Sequence, residues 1–75
     1  MYIYKARGNK IVLVDSNGDE SDSATVDRTL DAEFVAKLLN KAAYLNDVKR
    51  QYTASARLFA QAERIDGFRW IVPNN

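Results

Sequence analysis

The chain reads as a small α+β fold, an antiparallel sheet packed against two helices in the order β-β-(β)-α-α-β. Three observations carry that reading. Residues 2–26 alternate with period two, apolar residues recur at three- and four-residue spacing after Asp31, and an aromatic and β-branched segment returns at Phe68–Val72.

Tyr2, Tyr4 and Ala6 alternate with Ile3, Lys5 and Arg7 in the first strand, and Ile11, Val12 and Val14 make the second β-rich. A two-residue turn at Gly8-Asn9 sets Ala6 opposite Ile11 and Tyr4 opposite Leu13 on one face, with Ile3 opposite Val14 on the other. Asn17-Gly18 is the stronger turn signal, because a type I′ hairpin needs positive φ at both central positions and these residue types tolerate it best. A third strand is expected to return from Glu20 to Val26. Its first half, Glu20-Ser21-Asp22-Ser23, is poor strand material, so pairing is expected around Ala24-Thr25-Val26 with a loose, solvated edge before it.

Asp31 is the expected N-cap of the first helix, with Glu33 in its first turn and Leu30 reaching Val35 as a hydrophobic staple. Phe34, Val35, Leu38, Leu39, Ala42 and Leu45 then share one face, which predicts a helix over about 32–45. Asn46-Asp47 forms a joint, since both residue types compete with interior helical hydrogen bonds. The second helix carries Val48, Tyr52, Ala56, Phe59, Ala62 and Ile65 on one side and ends with Gly67 as its C′ residue. A single helix over 32–66 would run roughly 50 Å at 1.5 Å per residue, too long for so small a body, so two packed helices are expected. Phe68–Val72 makes the last strand before Pro73, with Phe68, Trp70 and Val72 on one side, and rejoins the amino-terminal sheet.

Residues 1–75 are expected to form one domain, because either half alone would bury too little. Hydrophobic residues make up 47% and charged ones 28%, a globular composition. A domain this small hides only about 60% of its extended surface, so a homodimer paired through the edge at Tyr2–Ala6 or through the last strand is an attractive way to add burial. The large rings Tyr2, Tyr4, Tyr52, Phe59 and Trp70 are expected mainly in the core. Apolar runs such as Ile11–Val14 fall far short of the roughly 20 residues that cross a bilayer, and Met1–Tyr4 leads straight into strand-like sequence without a targeting segment. A cytoplasmic protein with no membrane partner is the expectation.

The chain contains no cysteine and no histidine, which removes thiolate nucleophiles, the usual zinc ligands and the side chain that titrates near neutral pH. Ser21, Ser23 and Ser55 have no histidine base, and neither a GxSxG turn nor a glycine-rich phosphate cradle occurs. No catalytic residue, cofactor or metal is therefore expected. The acidic stretch Asp15–Asp22 invites calcium, but its glycine falls fourth instead of sixth and Val26 stands where a bidentate Glu belongs.

Net charge is +1 but unevenly spread: +3 over residues 1–14, −6 over 15–33 and +4 over 34–75. Charged recognition is thus the favoured function class, with three candidate surfaces. Asp19, Glu20 and Asp22 form an acidic knob suited to a basic groove. Arg50, Arg57 and Arg64 recur at seven-residue intervals, a helical stripe with steps of about 10 Å that can grip carboxylates or phosphates. Lys37, Lys41 and Tyr44 share the outer face of the first helix as a basic and aromatic patch.

In size and in its hairpin-plus-helices plan the chain resembles the small accessory proteins of phages and mobile elements, including anti-CRISPR and host-enzyme inhibitors. That resemblance is one of plan and transfers no residue. It implies a non-enzymatic inhibitor or adaptor that binds another protein or a nucleoprotein complex, in the host cytoplasm if phage-encoded. The alternative class is a small nucleic-acid-binding or transcription-regulating protein that lays the arginine stripe on phosphates, with affinity falling steeply with salt.

Overall fold

The computed structural model describes residues 2–72; Met1 and Pro73, which enter the expectations for the two ends, lie outside the described residues. The elements are β1 (Ile3–Arg7), β2 (Lys10–Val14), β3 (Glu20–Thr25), α1 (Thr29–Asp47), α2 (Tyr52–Glu63) and β4 (Arg69–Trp70). The strands form one antiparallel sheet in the order β1-β2-β3-β4, with both helices between β3 and β4 in the chain. This is the α+β architecture that the periodicity predicts.

The first hairpin has the expected register, with Ile3 opposite Val14, Tyr4 opposite Leu13 and Ala6 opposite Ile11. Only Gly8 of its two turn residues takes positive φ, at 63°, the pattern of a II′ turn whose twist suits flanking strands. The second hairpin is not the expected type I′ turn. Of Asn17 and Gly18 only Gly18 (φ 85°) is left-handed, and the loop has three residues: Asp15 N–H donates to the Asp19 carbonyl at 3.0 Å and Gly18 N–H to that of Asp15 at 3.0 Å. The reason lies in Asp15, whose Oδ1 accepts the backbone N–H of Asn17 and of Asp19 and so supplies a local turn of its own.

β3 departs from expectation only in part. Glu20–Ser23 is ordered strand, with Glu20, Ser21 and Asp22 paired to Val14, Leu13 and Val12 of β2. β4 covers only the far end of β3: Ala24 pairs with Trp70, Thr25 with Arg69, and Ile71 N–H donates to the Ser23 carbonyl at 2.9 Å, so Glu20–Asp22 stays the exposed edge that its composition predicts. Its low strand propensity is offset by the ladder to β2 and by Arg7–Glu20 and Lys10–Asp22 ion pairs on the open sheet face. Ser23 is the extra residue of a bulge, since the register passes from Ile11 opposite Ala24 to Val12 opposite Asp22.

α1 begins at Thr29, so Asp31 lies within the first turn and caps nothing; Arg28 holds the cap position and pairs with Asp31 at 3.1 Å. Leu30 is 87% exposed and forms no staple. The buried stripe is Ala32, Val35, Ala36, Leu39 and Ala42, whose small side chains let the helix approach the sheet closely. Phe34 is exposed, because two residues from Ala36 is roughly 200° around a helix. The core joins that stripe to Ile11, Ala24 and Val26 of the sheet region and Ala62 of α2, with Tyr4, Leu38, Phe59, Ile65 and Phe68 packed around it.

α2 turns Ser55, Phe59 and Ala62 inward, and leaves Val48, Tyr52 and Ala56, expected on its apolar face, exposed. Ser55 is 2% exposed and its hydroxyl donates to the Ala42 carbonyl at 2.6 Å, tying the two helices together. Gly67 is not the C′ residue, since the C-cap is Arg64. It holds φ at 75° in the turn closed by Phe68 N–H on the Ile65 carbonyl, where a Cβ would collide with the Asp27 carboxyl.

Candidate functional site

The two acids expected to lead an acidic knob spend their charge inside the sheet. Glu20 takes a bidentate contact from Arg7 (Nε to Oε1 3.2 Å, Nη2 to Oε2 2.7 Å), and Lys10 Nζ reaches Asp22 Oδ2 at 3.0 Å. The Arg7 guanidinium holds the Glu20 carboxyl below the usual carboxylate range, and the Glu20 carboxylate holds Arg7 above its own. Asp19 stays exposed at the loop, held there through its backbone N–H by Asp15. The structure thus separates Asp19 from two residues expected to act with it.

The arginines fare differently. Among the described residues no carboxylate lies within 4.0 Å of Arg50, Arg57 or Arg64, and the four ion pairs all fall within residues 7–37. Arg57 stands in α2, while Arg64 is its C-cap and Arg50 precedes it in the inter-helix turn, so the stripe is not wholly helical as expected. It is continuous nonetheless. One shallow groove is lined by Arg50, Tyr52, Thr53 and Arg57, and a second by Arg57, Gln61 and Arg64, so Arg57 joins the two. Tyr52, expected in the core, is 61% exposed and lines the first groove together with Arg50 and Arg57. Arg50 holds φ at 55° and is the only non-glycine among the described residues in the left-handed region. There it lets Gln51 N–H reach the Leu45 carbonyl at 2.9 Å and start the second helix.

Lys37, Lys41 and Tyr44 all face solvent on α1, but they do not converge on one groove. Lys37 borders a shallow groove against β1 and stands 3.8 Å from Glu33, whereas Tyr44 lines a different one further along the helix. That second groove, of about 250 Å³, is bounded by Tyr2, Ile3, Asn40, Ala43, Tyr44, Asp47 and Val48 and is mostly apolar. Tyr2 and Trp70, like Tyr52, are more exposed than a core role allows. Trp70 instead stacks edge-on against Phe68 at 5.0 Å and donates its indole N–H to Glu63 at 2.6 Å, fastening β4 to α2.

No family model matches this chain, and neither the curated proteins nor the solved structures contain a match to it. The site therefore rests on its own chemistry. Ser55 is buried on the Ala42 carbonyl and is in no position to act as a nucleophile. Among the described residues no three acids gather as a metal site, and no helix is long and apolar enough to cross a membrane. Sequence reasoning missed Tyr52, Tyr2, Val48 and Asp47 as surface groups. For Tyr52 the signal was present in its adjacency to Arg50; the facing of Tyr2 and Val48 depends on how α1 packs against β1.

Proposed function

We propose that this protein is a non-catalytic binding module, an inhibitor or adaptor working in the cytoplasm, that grips an acidic surface of a partner protein with Arg50, Tyr52, Arg57 and Arg64. The observation that carries this reading is the groove lined by Arg50, exposed Tyr52 and Arg57, with no carboxylate among the described residues within 4.0 Å of either arginine. Tyrosine and arginine together are the composition of binding hot spots. The backbone adds weight: an arginine in left-handed conformation is held against a local steric cost, the kind of outlier that points to a use for its side chain. Open, shallow grooves suit a macromolecular surface better than an enclosed small substrate.

A protein partner is favoured over nucleic acid by overall charge, which is only +1 and includes exposed acids at Asp19, Asp47 and Asp66 that would repel a polyanion. The test is affinity capture from the native lysate with wild type, Arg57→Glu and Glu20→Gln as baits. A protein retained by wild type and Glu20→Gln but lost with Arg57→Glu supports the reading. Equal recovery by all three overturns it, as does a low-salt shift of arbitrary DNA or RNA that Arg57→Ala weakens for every sequence alike.

A further inference from the structure

Across the inter-helix turn from the arginines, Tyr2, Tyr44, Val48 and Asp47 bound the 250 Å³ groove at the C-terminal end of α1. We propose that this groove is a second and independent binding site, which takes one arginine side chain presented by a partner protein.

Asp47 borders this groove. It is the last residue of α1, where the helix carbonyls already concentrate negative partial charge, and the last turn contains no basic residue. A carboxylate there opposes the macrodipole and weakens the helix. Its Oδ1 accepts a hydrogen bond from Asn46 Nδ2 at 2.8 Å, but among the described residues no cation reaches it within 4.0 Å. The groove therefore has a negative end without a counter-charge of its own. Lys49 is the near cation; its Nζ stands 6.0 Å from the Tyr44 ring centroid and does not line the groove. The neighbouring Tyr4 phenol is held above its ordinary range first by burial and then by Tyr2 and Asp47.

The rest of the lining fits the stem and head of arginine. Tyr2 and Tyr44 are each 49% exposed and line the groove, so aromatic surface is at hand for a flat guanidinium although Lys49 stands over one face of Tyr44, while Ile3, Ala43 and Val48 offer apolar surface to its methylenes. A guanidinium can stack on a ring and bond a carboxylate in a fork, which a lysine ammonium cannot. Cavities of roughly 150 Å³ hold a benzene-sized group, so this groove has space for one long side chain and little more.

The test uses the full chain, isotope-labelled for amide NMR, with the peptide acetyl-Gly-Gly-Arg-Gly-Gly-amide as probe and its norleucine and glutamate counterparts as controls. The arginine peptide should shift amides of Ile3, Asn40, Tyr44, Asp47 and Val48 in a saturable way. Asp47→Asn should weaken that binding about two- to fivefold, within the range of an exposed ion pair, and Tyr44→Leu should weaken it while keeping apolar area. Asp47→Asn removes a charge that opposes the helix dipole, so its melting temperature should equal or exceed that of wild type, which separates lost binding from lost fold. Arg57→Ala should leave the titration unchanged; failure here would leave the arginine-face reading standing, and the converse holds. Equal binding of the norleucine peptide, an unaffected Asp47→Asn, or no shift up to about 10 mM peptide would each overturn the proposal.

Discussion

Arg50 holds a φ of 55°, a region in which an L side chain costs roughly 1–2 kcal/mol that glycine avoids. Glycine gives part of this back through its greater freedom in the unfolded chain, so Arg50→Gly is expected to stabilise the protein by up to about 1 kcal/mol. In a domain of this size that raises the melting temperature by a few degrees, on the order of 4–8 °C per kcal/mol, and calorimetry would read it directly. The same variant should bind the acidic partner more weakly. Gain of stability with loss of binding is the signature of a residue kept for recognition; loss of both would assign Arg50 to the fold alone. Asp47 belongs to the same class, being a carboxylate at the wrong end of its helix. Both features are side chains set against the backbone's preference, and only Asp47 can be suspected from its place after a helical pattern.

The element most exposed to error is β1, the edge of the sheet and an expected point of homodimer pairing. Asn40 of α1 addresses that edge. Its Oδ1 accepts the Tyr4 N–H at 2.7 Å and its Nδ2 donates to the Tyr4 carbonyl at 2.9 Å, so one side-chain amide does what a neighbouring strand would do. Asn40→Ala leaves a partly buried donor and acceptor without these partners and is expected to cost about 1–3 kcal/mol. It also reopens the edge at Tyr4, so light scattering at high concentration should show self-association that wild type lacks at the same concentration; a variant that melts lower yet stays at wild-type size would confine Asn40 to stability. Asn40 stands at the rim of the buried helical stripe, beside Ala36, and nothing in the sequence reveals its partner 36 residues away. The failed N-cap and staple at Asp31 and Leu30 have a related cause. Local capping rules compete with packing, and burial of Ala32 against the core outweighs a cap worth about 1 kcal/mol.

At the scale of the whole molecule, folding cancels charge that the chain keeps apart. The basic first block and the acidic second one meet across the sheet through Arg7–Glu20 and Lys10–Asp22, so part of the uneven charge cancels and the surplus positive charge is left on residues 34–75. Because the folded Glu20 carboxyl sits below its ordinary value of about 4.3, its stabilisation is present above that pH and fades as pH falls through the lowered folded value. Arg7 remains charged throughout. Glu20→Gln should therefore be slightly less stable than wild type at neutral pH and match it at low pH, which flattens the acid limb of the stability curve, and salt should reduce the neutral-pH difference because both side chains are exposed. An acid limb identical to that of wild type would show that the pair contributes nothing measurable.

The sequence by itself determined the α+β class, the first hairpin's register and the division into two helices, because each follows from local periodicity and turn chemistry within a few residues. Tertiary structure alone decided which rings face water, which charges find partners and which residues of β3 are covered by β4. Those outcomes depend on groups far apart in the chain: both helices must fold back before Arg69–Ile71 reaches Ser23–Thr25, and α1 must lie on the sheet before Tyr2 and Tyr44 share a groove. A pattern that repeats every two or four residues specifies an element, while the partner of an exposed charge is set by how the elements come together.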